Sequence, residues 1–135
     1  MVRIVRIMFM IKSNIEKNRL YITLGKMVDT DIRGLIKDIT RSASALKPGF
    51  TCLVDIRNMD INYSEKQMFT MELIMGGLID AGMSKVVRVV SKKNKISQMR
   101  MEQGSRAMGY RARPASTIEE AETILDEEES RKEEQ

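Results

Sequence analysis

Phe50-Thr51-Cys52-Leu53-Val54-Asp55-Ile56 and Lys85-Val86-Val87-Arg88-Val89-Val90 are short apolar runs rich in β-formers, and both read as strands. The stretch between them carries a different period. Ser64 and Gln67 form a capping-box pattern, in which each side chain satisfies the other's backbone amide. Met68, Met71, Met75, Leu78 and Ile79 then recur along one helical face, and Gly82 suits the stop. A strand, an amphipathic helix and a second strand imply a right-handed crossover with the two strands parallel. Gly76-Gly77 inside the helix should each cost about 1 kcal/mol against alanine, so a close approach by a neighbouring element is expected there.

Working outward, Ile32, Leu35, Ile36, Ile39, Ala43 and Leu46 make a second helical stripe. Asp29 or Thr30 can cap its start, and Pro48-Gly49 ends it. Residues 4–13 and 19–25 read as a hairpin turning at Glu16-Lys17-Asn18-Arg19. Downstream, Asn94 caps a helix through Met108, and Gly109 stops it. Tyr110–Arg113 reads as an edge strand, since Pro114 cannot donate to a ladder. Ser116 with Glu119 suggests another capping box, opening a helix with the stripe Ile118, Ala121 and Leu125. The expected order is β-β-α-β-α-β-α-β-α, an α/β fold with a mainly parallel sheet, an N-terminal hairpin and flanking helices.

The 135 residues suit one domain, at 42% apolar and 31% charged. Twelve methionines against three Phe, three Tyr and no Trp describe an aliphatic, adaptable core. One cysteine, Cys52, excludes an internal disulfide and points to a reducing, cytoplasmic setting. The apolar start, Met1 to Ile11, is broken by Arg3 and Arg6 and falls short of the ~20 residues of a membrane span. Residues 119–135 hold nine acidic and two basic side chains, a charge of −7, while the remainder holds 21 basic and ten acidic, +11. The reading is a domain over 1–126 with an acidic, disordered tail over 127–135.

Catalytic signals are missing. The chain has no histidine, too few cysteines for a zinc constellation, and neither a Walker pattern nor GxGxxG. A non-enzyme without metal or cofactor is expected. Asp55 and Asp60 flank the end of the central strand, where aspartate commonly caps the loop's own amides.

The order of elements, with particular residues, resembles the STAS domain, named for sulphate transporters and anti-sigma-factor antagonists. Leu24-Gly25 closes a strand and leads to Asp29 at a helix start. Leu53-Val54-Asp55-Ile56 looks like the family's apolar strand ending in aspartate. Nine residues past Asp55 sits Ser64, where the family places a phosphorylated serine. Ser116-Thr117-Ile118-Glu119-Glu120-Ala121 resembles its closing helix start. Where the family loop usually reads Asp-Ser-Ser/Thr-Gly, this chain has Tyr63-Ser64-Glu65-Lys66. Ser64 is thus a candidate phosphorylation site, but the local chemistry favours a plain N-cap, since Glu65 beside it would repel a phosphate.

The resemblance implies a regulatory domain that docks a kinase-like anti-sigma factor or a sensor. Ligands of parallel sheets sit at the carboxyl ends of the strands, which selects an edge of Asp55, Asp60, Tyr63, Ser64, Lys92, Lys93 and Lys95. Arg88, Arg100 and Arg106 add positive charge nearby. A nucleic-acid binder using the basic body is the alternative, although few aromatics are present for stacking. A small anionic or lipid ligand between sheet and helices is a third.

Overall fold

The computed structural model describes residues 9–25, 32–59, 64–92 and 95–134. In chain order these form β1 (Phe9–Asn14), β2 (Arg19–Leu24), α1 (Ile32–Ser44), β3 (Thr51–Asp55), α2 (Glu65–Asp80), β4 (Lys85–Val89), α3 (Lys95–Met108), β5 (Ala112–Ala115) and α4 (Ile118–Glu134). The five strands lie in sequence order across one sheet, β1-β2-β3-β4-β5. β1 and β2 pair antiparallel, and every later pair is parallel. The expected pairing of the two central runs holds, from Thr51 opposite Lys85 to Asp55 opposite Val89. The proposed cap at Asp29 or Thr30 and the cap at Asn94 fall outside the described residues.

Alternation along the strands sorts side chains onto two faces. Leu20, Ile22 and Leu24 of β2, Cys52 and Val54 of β3 and Val86 of β4 meet Leu35 and Ile39 of α1, the methionines of α2 and Met101 of α3. Leu53, Val87, Val89 and Ala115 face the other way, against Ala121 and Leu125 of α4. Three helices cover one face, and one covers the other. Cys52 is fully buried, and burial pushes its thiol up to about 12, so it behaves as a small hydrophobe.

The β1–β2 turn is tied down by Asn18, whose positive φ of 52° is tolerated by an Asn side chain. That amide donates to the Lys47 carbonyl at 3.1 Å and accepts from its N–H at 2.8 Å. On the α4 face, fully buried Arg19 donates to Glu122 at 2.7 Å, Asp126 at 3.0 Å and Thr51 Oγ1 at 2.9 Å. Burial alone would pull this guanidinium down, but the two carboxylates outweigh it and raise its pKa. The Tyr21 hydroxyl donates to the same Glu122 at 2.9 Å.

Several boundaries differ from the sequence reading. β5 spans Ala112–Ala115 rather than 110–113, and it contains Pro114, which an edge strand accommodates because its outer side needs no donor. α4 begins at Ile118, so Thr117, not Ser116, is its cap: the Thr117 hydroxyl accepts from Glu120 N at 3.0 Å, and Glu120 reaches back to Ser116 N at 2.9 Å. α4 also runs on to Glu134, through the segment read as a disordered tail. Glu, Lys and Arg are good helix formers, and Glu127–Arg131 and Glu128–Lys132 are spaced at i, i+4. Gly77 has nothing within 4 Å of where a Cβ would stand, so no neighbouring element approaches it.

Leu125→Ala should destabilise the protein by about 2–5 kcal/mol in urea denaturation, as for other buried leucines. Stopping the chain after Glu127 leaves Glu122, Leu125 and Asp126 in place and should lower the melting temperature by less than about 5 °C. A truncation as damaging as Leu125→Ala would show that the last turns of α4 bear on the fold.

Candidate functional site

At the carboxyl edge of the sheet, Asp55 is committed to its own turn. Its carboxylate accepts from Arg57 N at 3.1 Å, Nε at 3.0 Å and Nη2 at 2.9 Å, the local capping that aspartate performs after a strand. This pairing raises the Arg57 pKa. Alternation puts Asp55 on the α4 face, with Leu53, whereas Ser64 opens α2 on the other. Ser64 is exposed and accepts from Gln67 N at 3.1 Å, while Gln67 Oε1 accepts from Ser64 N at 2.8 Å, a complete capping box. Lys92 is exposed just beyond β4, and Lys95 is the first residue of α3. Asp60, Tyr63 and Lys93 lie outside the described residues.

Arg88, grouped by sequence with the basic surface, is instead only 3% exposed. β-strand alternation turns it inward beside Val86, beneath α2 and α3. Its Nη2 donates to Ser105 Oγ and, at 3.2 Å, to the Tyr110 hydroxyl. Tyr110 in turn donates to Glu72 Oε2 at 3.2 Å, and Ser105 donates to the Met101 carbonyl at 2.7 Å. Four elements or their ends are stitched by this chain of bonds. Burial pushes the Glu72 carboxyl above its ordinary range against the pull of Arg88, and pushes Tyr110 up to about 12. Glu72 Oε1 and Arg88 Nε have no hydrogen-bond partner among the described residues. A Cβ at residue 104 would stand 2.5 Å from the Glu72 side chain, so Gly104 is the glycine that a close approach requires. A charged residue on a core-facing strand position was the sequence signal for this cluster.

The second feature that sequence reading missed lies between α1 and α2. A groove of about 590 Å3 is lined by Ile36, Ile39 and Ala43 on one side and Leu73, Ile74 and Leu78 on the other, with Gly77 in its wall. Ile36 is 40% exposed and Leu73 51%, and Phe69, one turn before Leu73, is 64% exposed. α2 carries more apolar residues than one buried stripe needs, and that surplus was the legible signal. Along α1, Arg33, Lys37 and Arg41 are exposed at four-residue steps, forming a basic row beside the groove. No group of His, Cys, Asp or Glu among the described residues could hold a metal ion, and no described helix is long and apolar enough to cross a membrane.

Glu72→Gln tests the buried carboxyl through its pH dependence. A carboxyl held above its unfolded value takes up its proton first in the folded protein, so its strain is relieved as pH falls toward its ordinary 4.5. The melting temperature of wild type minus that of Glu72→Gln should therefore rise as pH falls from neutrality toward that value. A flat or falling difference would mean that Glu72 ionises normally.

Comparison with known proteins gives no match to a family model, to a curated protein or to a solved structure.

Proposed function

We propose that this is a regulatory protein-interaction domain without catalytic activity, and that the groove between α1 and α2 receives an amphipathic helix of a protein partner. The exposed Ile36 and Leu73 in the groove wall, with exposed Phe69 one turn before Leu73, carry the reading. Large side chains left in water across two helices favour an apolar guest, and a groove between helices accepts residues spaced at i, i+3, i+4 and i+7. The basic row Arg33, Lys37 and Arg41 selects a guest with acidic flanks and steers its approach.

The resemblance to anti-sigma-factor antagonists supplies the regulatory part of the proposal, with a kinase-like anti-sigma factor or sensor as the partner class. Ser64 fits such a role by position, since it is exposed at the start of the helix that carries Phe69 and Leu73. A phosphate there would meet the free amides of the first turn but also the neighbouring Glu65. The basic body keeps nucleic acid as the second reading, and steep salt dependence would mark it.

The test uses a labelled synthetic helix with leucines at i, i+3, i+4 and i+7 and glutamates flanking them, followed by fluorescence anisotropy. The full chain should bind it saturably, and bind a lysine-flanked version at least tenfold more weakly. Leu73→Glu and Phe69→Glu change exposed side chains and should each weaken binding about tenfold or more without unfolding the domain. Equal affinity for both peptides, or wild-type binding by Leu73→Glu, would remove the groove as the docking site. Salt-sensitive RNA binding untouched by Leu73→Glu would favour the nucleic-acid reading instead.

A further inference from the structure

Independently of the α1–α2 groove, we infer that the seam between α3 and β5 is a binding site for a small hydroxylated oxyanion, a phosphate or carboxylate on a small organic molecule. A cleft of about 510 Å3 opens there, with Ser105 and Tyr110 in its wall and Arg106 and Arg111 beside them. A separate void of about 10 Å3, lined by Arg88, adjoins it and shares Glu102 and Ala112 with it. Two exposed guanidinium groups thus line the cleft, and the buried Arg88 guanidinium sits behind its Ser105 and Tyr110 wall. None of them forms an ion pair with a described residue.

Arg88 gives the site its built character. A buried charge is expensive unless paired and fully hydrogen-bonded. Arg88 is 97% removed from solvent, yet its Nε has no partner among the described residues, and Glu72 reaches it only through the Tyr110 hydroxyl. Ser105 and Tyr110 hold the guanidinium in place as acceptors, and both spend their own protons elsewhere, on Met101 O and Glu72. What remains for a guest is therefore the positive charge behind the Ser105 and Tyr110 wall, while the enclosed Nε stays out of its reach. Guanidinium forks match the paired oxygens of carboxylate and phosphate.

A helix C-terminus would ordinarily oppose an anion, because its carbonyls point outward. Here the end of α3 is closed: Gly109, at φ 82°, lets its N–H reach Arg106 O at 3.1 Å, and Tyr110 N reaches Ser105 O at 3.0 Å. Two of the exposed carbonyls are thereby occupied. Glu102 is the one acidic side chain lining the cleft. It would repel a bare anion but accepts from a hydroxyl, which is why a hydroxylated ligand fits better than a simple ion.

The probes are inorganic phosphate and glycerol 3-phosphate, titrated into the full-length protein against sodium chloride at matched ionic strength, followed by amide chemical shifts. Saturable shifts should appear at Ser105 and Gly109–Ala112, with glycerol 3-phosphate binding more tightly than phosphate. Arg106 and Arg111 are exposed, so Arg106→Gln and Arg111→Gln should fold normally and each weaken binding about tenfold. Arg33→Gln, on the far helix, should change it less than twofold. Shifts that chloride reproduces, or equal losses from Arg33→Gln and Arg111→Gln, would reduce the seam to general basic charge and overturn the assignment. The Arg106 and Arg111 outcomes leave the helix-docking groove untouched, since neither residue lines it.

Discussion

Handedness of the strand crossovers governs the rest of this structure. Parallel strands laid down one after another in a single direction, β2 through β5, send each right-handed crossover over the same face of the sheet. α1, α2 and α3 are consequently neighbours in one layer, packed on Leu20, Ile22, Cys52 and Val54. The groove between α1 and α2 follows from that arrangement. Adjacent helices on a twisted sheet diverge, and where the side chains between them are small, as at Ala43 and Gly77, the space remains open.

The same rule leaves the opposite face of the sheet with nothing from the crossovers. Among the described residues α4 covers it alone, because it follows β5 rather than linking two strands. A single helix supplies limited apolar area, and its buried contribution is narrow: Ala121 and Leu125 against Leu53, Val87, Val89 and Ala115. Polar bonding extends the contact. Arg19 reaches Glu122 and Asp126 from beneath, and Tyr21 and Lys17 reach Glu122 from the hairpin side. Because Arg19 is fully buried and Glu122 mostly so, removing Glu122 should weaken the protein more than removing Asp126, whose side chain is 52% exposed. The acidic character of α4 is thus partly structural.

How much could be read beforehand follows the physics of each signal. Periodicity is local, so the strand and helix order, the capping box at Ser64 and the parallel pairing of β3 with β4 were all legible. Helix starts shift by one residue when two caps stand side by side, as Ser116 and Thr117 do, since both hydroxyls can serve and tertiary packing selects. β5 was placed two residues early, with Pro114 left just outside it, although proline at a sheet edge costs no ladder bond. The groove was hidden for another reason. α2 is apolar on several sides, through Met68, Phe69, Met71, Leu73, Ile74 and Met75, and composition cannot say which of these face water.

Charge was the least legible property, and Arg88 shows why. In sequence it belongs to a cationic body of +11 outside the last 17 residues, and nothing local separates it from Arg100 or Arg106. Strand parity does separate it. Val86 and Arg88 share a face, and that face is core. A strand that buries an arginine must supply acceptors from whatever packs above it, so Ser105 of α3, Tyr110 just beyond it and Glu72 of α2 converge there. Glu72 then needs room, and Gly104 on the facing helix provides it where any side chain would collide. One inward-facing charge thereby dictates the residue types at four distant positions, yet it leaves a donor on Arg88 and an acceptor on Glu72 unfilled. A purely structural network would gain stability by closing those two groups or by replacing them with aliphatic side chains. The Arg88 charge instead lies just behind the Ser105 and Tyr110 wall of the cleft, which is where its field reaches the surface.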